Sequence, residues 1–308
     1  MMRTAAHTQG PKVYVIGGVV TTKLIKNHRS ENAVTFITNT TEVLSETGIW
    51  TTGAELNVPR WGHAAATMGG MIYVVGGCDT TFSWTTCSHP LGSAEVFDPI
   101  TNTWKLLLNS MSRPRGRLTA AVYNNMLFAI GGEDGDGTGQ RVVAPFTKPA
   151  GATIEMYTAE TDSWTDEWTN ETAANLPHPR SALGSAVLNG SLYVIGGING
   201  NYDTNPAGTG GGFKVDIYNF SNASWSVGPP LLHPRWLPGV VATDGRIFVM
   251  GGGVPNSAGP LTSTEIYDPA TCVPGNMGAQ CWVEDAPMPV PRLYGDVVTV
   301  AASQQYHE

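Results

Sequence analysis

Pro59-Arg-Trp-Gly-His-Ala-Ala-Ala-Thr-Met-Gly-Gly-Met-Ile-Tyr-Val-Val-Gly-Gly77 holds the instructions for one structural unit. Met71 to Val75 is apolar, rich in β-branched and aromatic residues and too short for a helix, so it reads as a strand. Gly69-Gly70 separates it from the small-residue run His63 to Thr67, and that dipeptide marks a hairpin, because both central residues of such a turn need positive φ. Downstream, Glu95-Val-Phe-Asp-Pro99 and Thr101-Asn-Thr-Trp104 supply a third strand, a turn and a fourth.

The unit recurs. Gly-Gly pairs stand at Gly17-Gly18, Gly76-Gly77, Gly131-Gly132, Gly196-Gly197 and Gly251-Gly252, and the Trp residues that follow are Trp50, Trp104, Trp164, Trp225 and Trp282. Arg60, Arg115, Arg180 and Arg235 each lie 16 residues before the first glycine of the next pair. A repeat of this length with four antiparallel strands is one propeller blade.

These residues resemble the kelch repeat: Gly-Gly after an apolar strand, Glu-Val-Tyr/Phe-Asp-Pro before a Trp, and Pro-Arg leading into the next blade. The resemblance spans essentially the whole sequence and implies an all-β, kelch-type β-propeller over residues 1–308 as one domain. Its function is left open, since propellers of this kind include peptide-binding modules, actin binders, sugar-acid epimerases and copper oxidases. Five blades are expected, closed by a C-terminal strand, Leu293 to Val300, pairing beside Val13 to Ile16. In the alternative, Arg3-Thr-Ala-Ala-His7 is itself a short first strand and the last strand opens a truncated sixth blade.

A net charge of −8 argues against nucleic-acid partners, which demand a basic face. No stretch is apolar for long enough to span a membrane as a helix. Residues 1–10 lack the apolar core of a signal peptide, so secretion would need a leader outside this sequence. A secreted or extracellular location is nonetheless the expectation. Cys78 with Cys87 and Cys272 with Cys281 are equally spaced pairs that read as loop-closing disulfides, and sequons stand at Asn39, Asn170, Asn189, Asn219 and Asn222 in predicted turns or loops. The alternative is free thiols with chance sequons.

Two rings of charge draw attention: Arg60, Arg115, Arg180, Arg235 and Arg292 after prolines, and Glu42, Glu95, Glu155, Asp216 and Glu265 opening third strands. Either each blade pairs its own charges, or the arginines face the channel mouth as bidentate anion clamps. By resemblance to kelch domains that bind acidic peptides, the five arginines are candidates, with Arg117, Trp61, Trp236 and Tyr294 beside them. The expected partner is then an acidic small molecule, glycan or peptide, or another protein. The loops after Gly-Gly vary most, the longest being Val19 to Thr41, and should set specificity.

No catalytic constellation or cofactor motif is found. Two C-x8-C pairs do not have zinc-ligand spacing, and the acidic loop beginning at Glu133 has Pro145 where a calcium loop needs glutamate. A metal-free epimerase would have to draw on Glu133, Asp134 and His63.

Overall fold

The computed structural model describes residues 6–9, 12–26, 29–45, 47–79, 86–135, 150–166, 175–199, 211–254, 259–272 and 281–292. Five four-stranded antiparallel sheets follow one another. Blade 1 is built of β1 (Ala6–Gln9), β2 (Lys12–Ile16), β5 (Thr41–Leu44) and β6 (Trp50–Thr52). Blade 2 comprises β7 (Ala64–Met68), β8 (Met71–Val75), β9 (Ala94–Asp98) and β10 (Thr103–Leu106). Blade 3 comprises β11 (Thr119–Tyr123), β12 (Met126–Ile130), β13 (Ile154–Thr158) and β14 (Ser163–Thr165). Blade 4 follows with β15 (Gly184–Leu188), β16 (Ser191–Ile195), β17 (Val215–Asn219) and β18 (Ser224–Val227). Blade 5 has β19 (Gly239–Thr243), β20 (Arg246–Met250), β21 (Thr264–Tyr267) and β22 (Trp282–Asp285). The inner strands β1, β7, β11, β15 and β19 neighbour one another in that order.

The core lies between blades. A strand's side chains alternate between its two faces, and here each face meets a different neighbour. Ile72 and Val74 pack with Tyr14 and Ile16 of blade 1, while Tyr73 and Val75 pack toward Leu127 and Ala129 of blade 3. Leu192 and Val194 face Phe128 and Ile130, and Tyr193 and Ile195 face Ile247 and Val249. Burial on both faces is why these runs are apolar without a break.

The aromatic signature has the same logic. Cross-strand pairing sets Phe97 against Trp104 (ring centroids 4.9 Å apart), Tyr157 against Trp164 (5.1 Å), Tyr218 against Trp225 (5.1 Å) and Tyr267 against Trp282 (5.3 Å). The indole then reaches back to the preceding blade: Trp104 Nε1 donates to Ala54 O of blade 1 and Trp282 Nε1 to Pro229 O of blade 4, each buried N–H finding its partner there. In blade 1 the aromatic is replaced by Leu44 opposite Trp50, and Trp50 is 53% exposed against 2% for Trp282. Phe248 and Met250, on the face of blade 5 turned away from blade 4, are only half-buried.

Two expectations are corrected. The strand beside Val13–Ile16 is β1, with Ala6 opposite Val15 and Gln9 opposite Lys12, so β2 already has a neighbour on each side and the expected closure by Leu293 to Val300 is not what completes blade 1. A hairpin partner two residues away closes a far shorter loop than one at the other end of the chain. Leu293 onward, including Tyr294, lies outside the described residues. The segment after Gly18 is not a loop either. It contains β3 (Val19–Lys26) paired with β4 (Arg29–Ile37), a two-stranded sheet separate from the blades.

Candidate binding face

The loop leading into each inner strand and the loop following each Gly-Gly share one end of the blade, because they lie at the same ends of adjacent antiparallel strands. At this end stand the arginines. Arg60, Arg115, Arg180 and Arg235 are completely buried. Arg60 spends every donor inside its own blade: Nε to Val58 O, Nη1 to Gly76 O and Ser93 O, Nη2 to Ser93 Oγ and Glu95 Oε1 at 2.8 Å. Arg115 bonds Gly131 O, Thr153 O and Glu155 in the same way, Arg180 bonds Gly196 O, Val194 O and Asp216, and Arg235 bonds Gly251 O, Ser263 O and Glu265 through its two terminal nitrogens while its Nε makes no well-formed bond.

The 16-residue spacing is thereby explained, since each guanidinium binds the carbonyl of the first glycine of its own pair. The arginine's carbonyl faces the other way. It accepts from the second glycine of the preceding blade, as in Gly18 N to Arg60 O and Gly77 N to Arg115 O, both within 3.0 Å. One residue therefore joins two blades. The close approach also fixes the glycines: Gly76 has φ +63°, and a Cβ there would lie 2.6 Å from Arg115 O.

Each carboxylate that these four arginines bind is equally enclosed, whereas Glu42 of blade 1 is half-buried. Glu95 accepts from the Asn57 and Val58 amides, Glu155 from Ser112 and Arg113, and Glu265 from Leu232 and His233. In blade 4 the position of the first amide is Pro177, which has no N–H, and His178 Nδ1 bonds Asp216 Oδ1 instead at 2.8 Å. Burial alone would raise the Asp216 carboxyl, but Arg180 and His178 outweigh it and hold it below its ordinary value. Burial lowers the Arg60, Arg115 and Arg235 guanidinium pKa values, opposed by Glu95, Glu155 and Glu265.

The anion-clamp expectation is therefore corrected for these four arginines, which are buried with their charge enclosed and, Arg235 Nε apart, with their donors committed to the fold. Trp61 is corrected likewise: at 1% exposed it packs with Val19, Cys78 and Cys87 and offers no stacking surface. Trp236 is half-buried against Ala182, Ile198 and Leu237. Arg292 differs from its counterparts. Its backbone keeps the pattern, with Gly252 N donating to Arg292 O at 2.9 Å, yet its side chain is exposed.

Around the mouth, the second residue after each arginine is Gly62, Arg117, Ala182 or Leu237. All four have positive φ, and they are linked by amide-to-carbonyl bonds from one blade to the next. Among the described residues at this position only blade 3 places charge. Arg117 pairs with Glu133, Glu133 Oε1 also accepts from Cys87 N, and Arg113 Nη2 bonds Asp134 Oδ2 at 2.7 Å. Arg113 escaped the sequence reading, although the triple Arg113-Pro-Arg-Gly-Arg117 is the sole signal of that kind among the Pro-Arg sites.

The third residue after each arginine is a wedge between successive Gly-Gly corners. It is Leu118, Leu183 or Pro238 in three blades and His63 in blade 2, where the ring touches Gly17 and the Cβ lies against Gly77. Neither ring nitrogen of His63 makes a well-formed hydrogen bond. Burial, reinforced by the neighbouring Arg60 charge, lowers its pKa to about 3, so the imidazole is neutral.

Both disulfides are formed, Cys78–Cys87 and Cys272–Cys281. The first is more than a loop staple, because both sulfurs pack directly over the Cα of Gly116 in blade 3. Of the sequons, Asn189 and Asn222 lie in the two turns at the opposite end of blade 4, and Asn219 is the last residue of β17. Asn39 Nδ2 is engaged with Glu55 and Leu56 O, and Asn170 falls outside the described residues. Among the described residues no group of His, Cys, Asp and Glu is arranged to hold a metal ion, and no helix is long and apolar enough to cross a membrane.

Three segments, 59–107, 179–232 and 235–289, match the Kelch motif and together cover about half of the sequence. The chain belongs to the Kelch-motif family. It is 28% identical over 261 residues to Kelch-like protein 23 of Pongo abelii, spanning 84% of this chain and 38% of that protein. It is 27% identical over 255 residues to beta-scruin of Limulus polyphemus (80% and 24%) and 27% identical over 311 residues to the Kelch-like protein terF of Aspergillus terreus (96% and 58%). The chain thus spans less than two thirds of the length of each of these relatives. A solved structure described as that of YjhT aligns with a TM-score of 0.66 at 12% identity, over 96% of this chain and 87% of that one, a likeness of fold.

Proposed function

We propose that this propeller is a protein-interaction scaffold of a secreted or lumenal compartment, and that its contact face is the end carrying the loops after Gly-Gly. One observation carries the reading: the ring of buried arginines is spent on joining blades, which leaves the variable loops as the chemistry that distinguishes this face. An acidic ligand clamped by Arg60, Arg180 and Arg235 is not retained. The epimerase alternative loses its support as well, because His63 is buried and neutral while Glu133 and Asp134 are held by arginines. The compartment is argued from the two disulfides and from sequons on exposed turns, with Asn189 and Asn222 exposed.

The test blocks one face at a time. A single cysteine placed at His89, an exposed residue after the Gly-Gly of blade 2, and another at Asn189, at the opposite end of blade 4, are each capped with a maleimide-linked polyethylene glycol. A protein captured from secretory fluid by the unmodified chain and by the Asn189 conjugate, but lost with the His89 conjugate, supports the reading. Capture that is indifferent to the His89 cap contradicts it.

A further inference from the structure

We infer that the chain carries N-linked glycans on Asn222 and Asn189, at the end of blade 4 opposite the contact face, and that Asn39 and Asn219 stay bare. The inference rests on the secretory compartment proposed above and names the modification and its sites within it. The motif is Asn-x-Ser/Thr, and the nitrogen to be modified is the side-chain Nδ2. Four such motifs fall among the described residues, and the fold treats their carboxamides differently.

Asn39 stands at the contact end, just before β5. Its Nδ2 donates to Glu55 Oε2 and to Leu56 O, both at 3.2 Å, so both hydrogens are spent on the chain that follows blade 1. The hydroxyl of its motif, on Thr41, is buried and accepts from Trp104 Nε1 at 3.1 Å. A sugar on Asn39 would take one of those N–H groups and the space of its partners. Asn219 is half-buried at the end of β17. Its Oδ1 accepts from Ser221 N at 2.8 Å, Ser221 Oγ at 2.6 Å and Asn222 N at 3.3 Å, so this carboxamide shapes the turn.

Asn222 is an exposed residue of that turn. The following Ala223 has φ +53°, the left-handed position that closes such a hairpin loop, and Ser224 then opens β18 opposite Asn219. Ser224 Oγ donates to Asn222 Oδ1 at 2.7 Å, and among the described residues Asn222 Nδ2 forms no hydrogen bond. The turn itself is anchored. Phe220 stacks on Tyr123 of blade 3 with ring centroids 4.0 Å apart, and Phe220 N donates to Gly190 O at 3.2 Å. Gly190 belongs to the neighbouring hairpin, whose Asn189 is exposed with φ +50° and makes no side-chain hydrogen bond among the described residues. Both uncommitted nitrogens therefore stand on fixed turns away from the loops after Gly-Gly. The donor is a polyprenyl diphosphate-linked oligosaccharide of the secretory lumen. The bond from its anomeric carbon to the diphosphate oxygen breaks, a bond from that carbon to Nδ2 forms, the amide gives up one proton to solvent, and the polyprenyl diphosphate departs with the bonding pair.

The test expresses the full chain behind a secretion leader in eukaryotic cells and releases glycans with a peptide-N-glycosidase in heavy-oxygen water, which converts each carrier Asn into labelled Asp. Peptide mass spectrometry then maps the secreted chain, or the lumenal fraction where it is retained. Label is expected at Asn222 and Asn189, with Asn39 and Asn219 unmodified. Asn222→Gln and Ser224→Ala should each remove one glycan, leave Asn189 labelled and keep the blade circular dichroism, since the first removes the nitrogen and the second only the hydroxyl of the motif. Label at Asn39 or Asn219, or either expected site bare in the lumenal chain, overturns the proposal. If the turns are bare while the disulfides are closed and capture depends on the face, the glycan assignment falls and the scaffold stands. If the turns are labelled while capture ignores the His89 cap, the glycans stand and the scaffold reading falls.

Discussion

Arg235 and Arg292 carry the same sequence signature, each after a proline at the head of an inner-strand pattern, and they stand in opposite environments. Arg235 is buried against Gly251 O, Ser263 and Glu265, while Arg292 projects into solvent although its backbone carbonyl still holds Gly252 of the blade behind it. Trp282 and Trp50 differ in the same way at the other edge of a blade. The difference teaches that the Pro-Arg motif encodes two half-connections. The backward one needs only the chain that precedes it. The forward one needs a glycine carbonyl and a carboxylate on the blade that follows. Where the forward half is made, the arginine is a part of the fold. Where it is not, the same residue is a surface charge.

The largest effect should come from breaking the forward half where it exists. Arg60→Met or Arg180→Met strands a buried carboxylate and should cost about 3 to 5 kcal/mol, whereas Arg292→Met should stay within about 0.5 kcal/mol of wild type. Urea unfolding of the three variants decides it, and equal losses at Arg60 and Arg292 would erase the contrast.

The disulfide between Cys78 and Cys87 sharpens the comparison, because it links a loop of blade 2 to Gly116 of blade 3. Replacing both cysteines with Ala should lower stability by about 2 to 3 kcal/mol. Gly116→Ala, which sets a methyl against both sulfurs, should cost about 1 to 3 kcal/mol and much less once the cysteines are gone. Mass spectrometry without reduction should find no alkylatable thiol in the native chain.

His63 gives the most specific effect, absent near neutral pH and building only on acidification. Its pKa falls from the ordinary histidine value to about 3 on folding, so between about pH 6.5 and 3 the unfolded chain binds a proton that the folded chain refuses. Stability should drop by up to about 1.4 kcal/mol for each pH unit of acidification in that window. His63→Leu restores the wedge residue of blade 3 and should remove that part of the slope. A pH profile of the melting temperature unchanged by the substitution would contradict it.

Much of the fold was legible because its signals are local. Gly76 and Gly77 mark strand ends, Asn124-Asn125 and Asp244-Gly245 mark hairpins with the positive φ values found there, and the Tyr or Phe two residues after the third-strand carboxylate pairs with the Trp that follows. The spacing of arginine and glycine was legible as well, but its cause was not, since whether a guanidinium turns inward depends on Ser93 and Glu95, far along the chain. The β3 and β4 ribbon is not legible because it lacks the Gly-Gly mark, and β1 is masked in the sequence by the longer, more apolar pattern at Leu293 to Val300. At the binding face, Arg117 and Glu133 were each singled out but not as partners, because the inner strand and hairpin that bring them together separate them in sequence.

The central claim, that the arginine ring joins blades and does not hold a ligand, is tested most directly by a double-mutant cycle on Arg235 and Glu265. Arg235→Met and Glu265→Leu should each be strongly destabilising, and the double variant should be less damaged than their sum by about 2 kcal/mol or more. Losses that add within about 0.5 kcal/mol, together with a stabilisation by inorganic sulfate that disappears in Arg235→Met, would show a guanidinium open to anions and contradict the account.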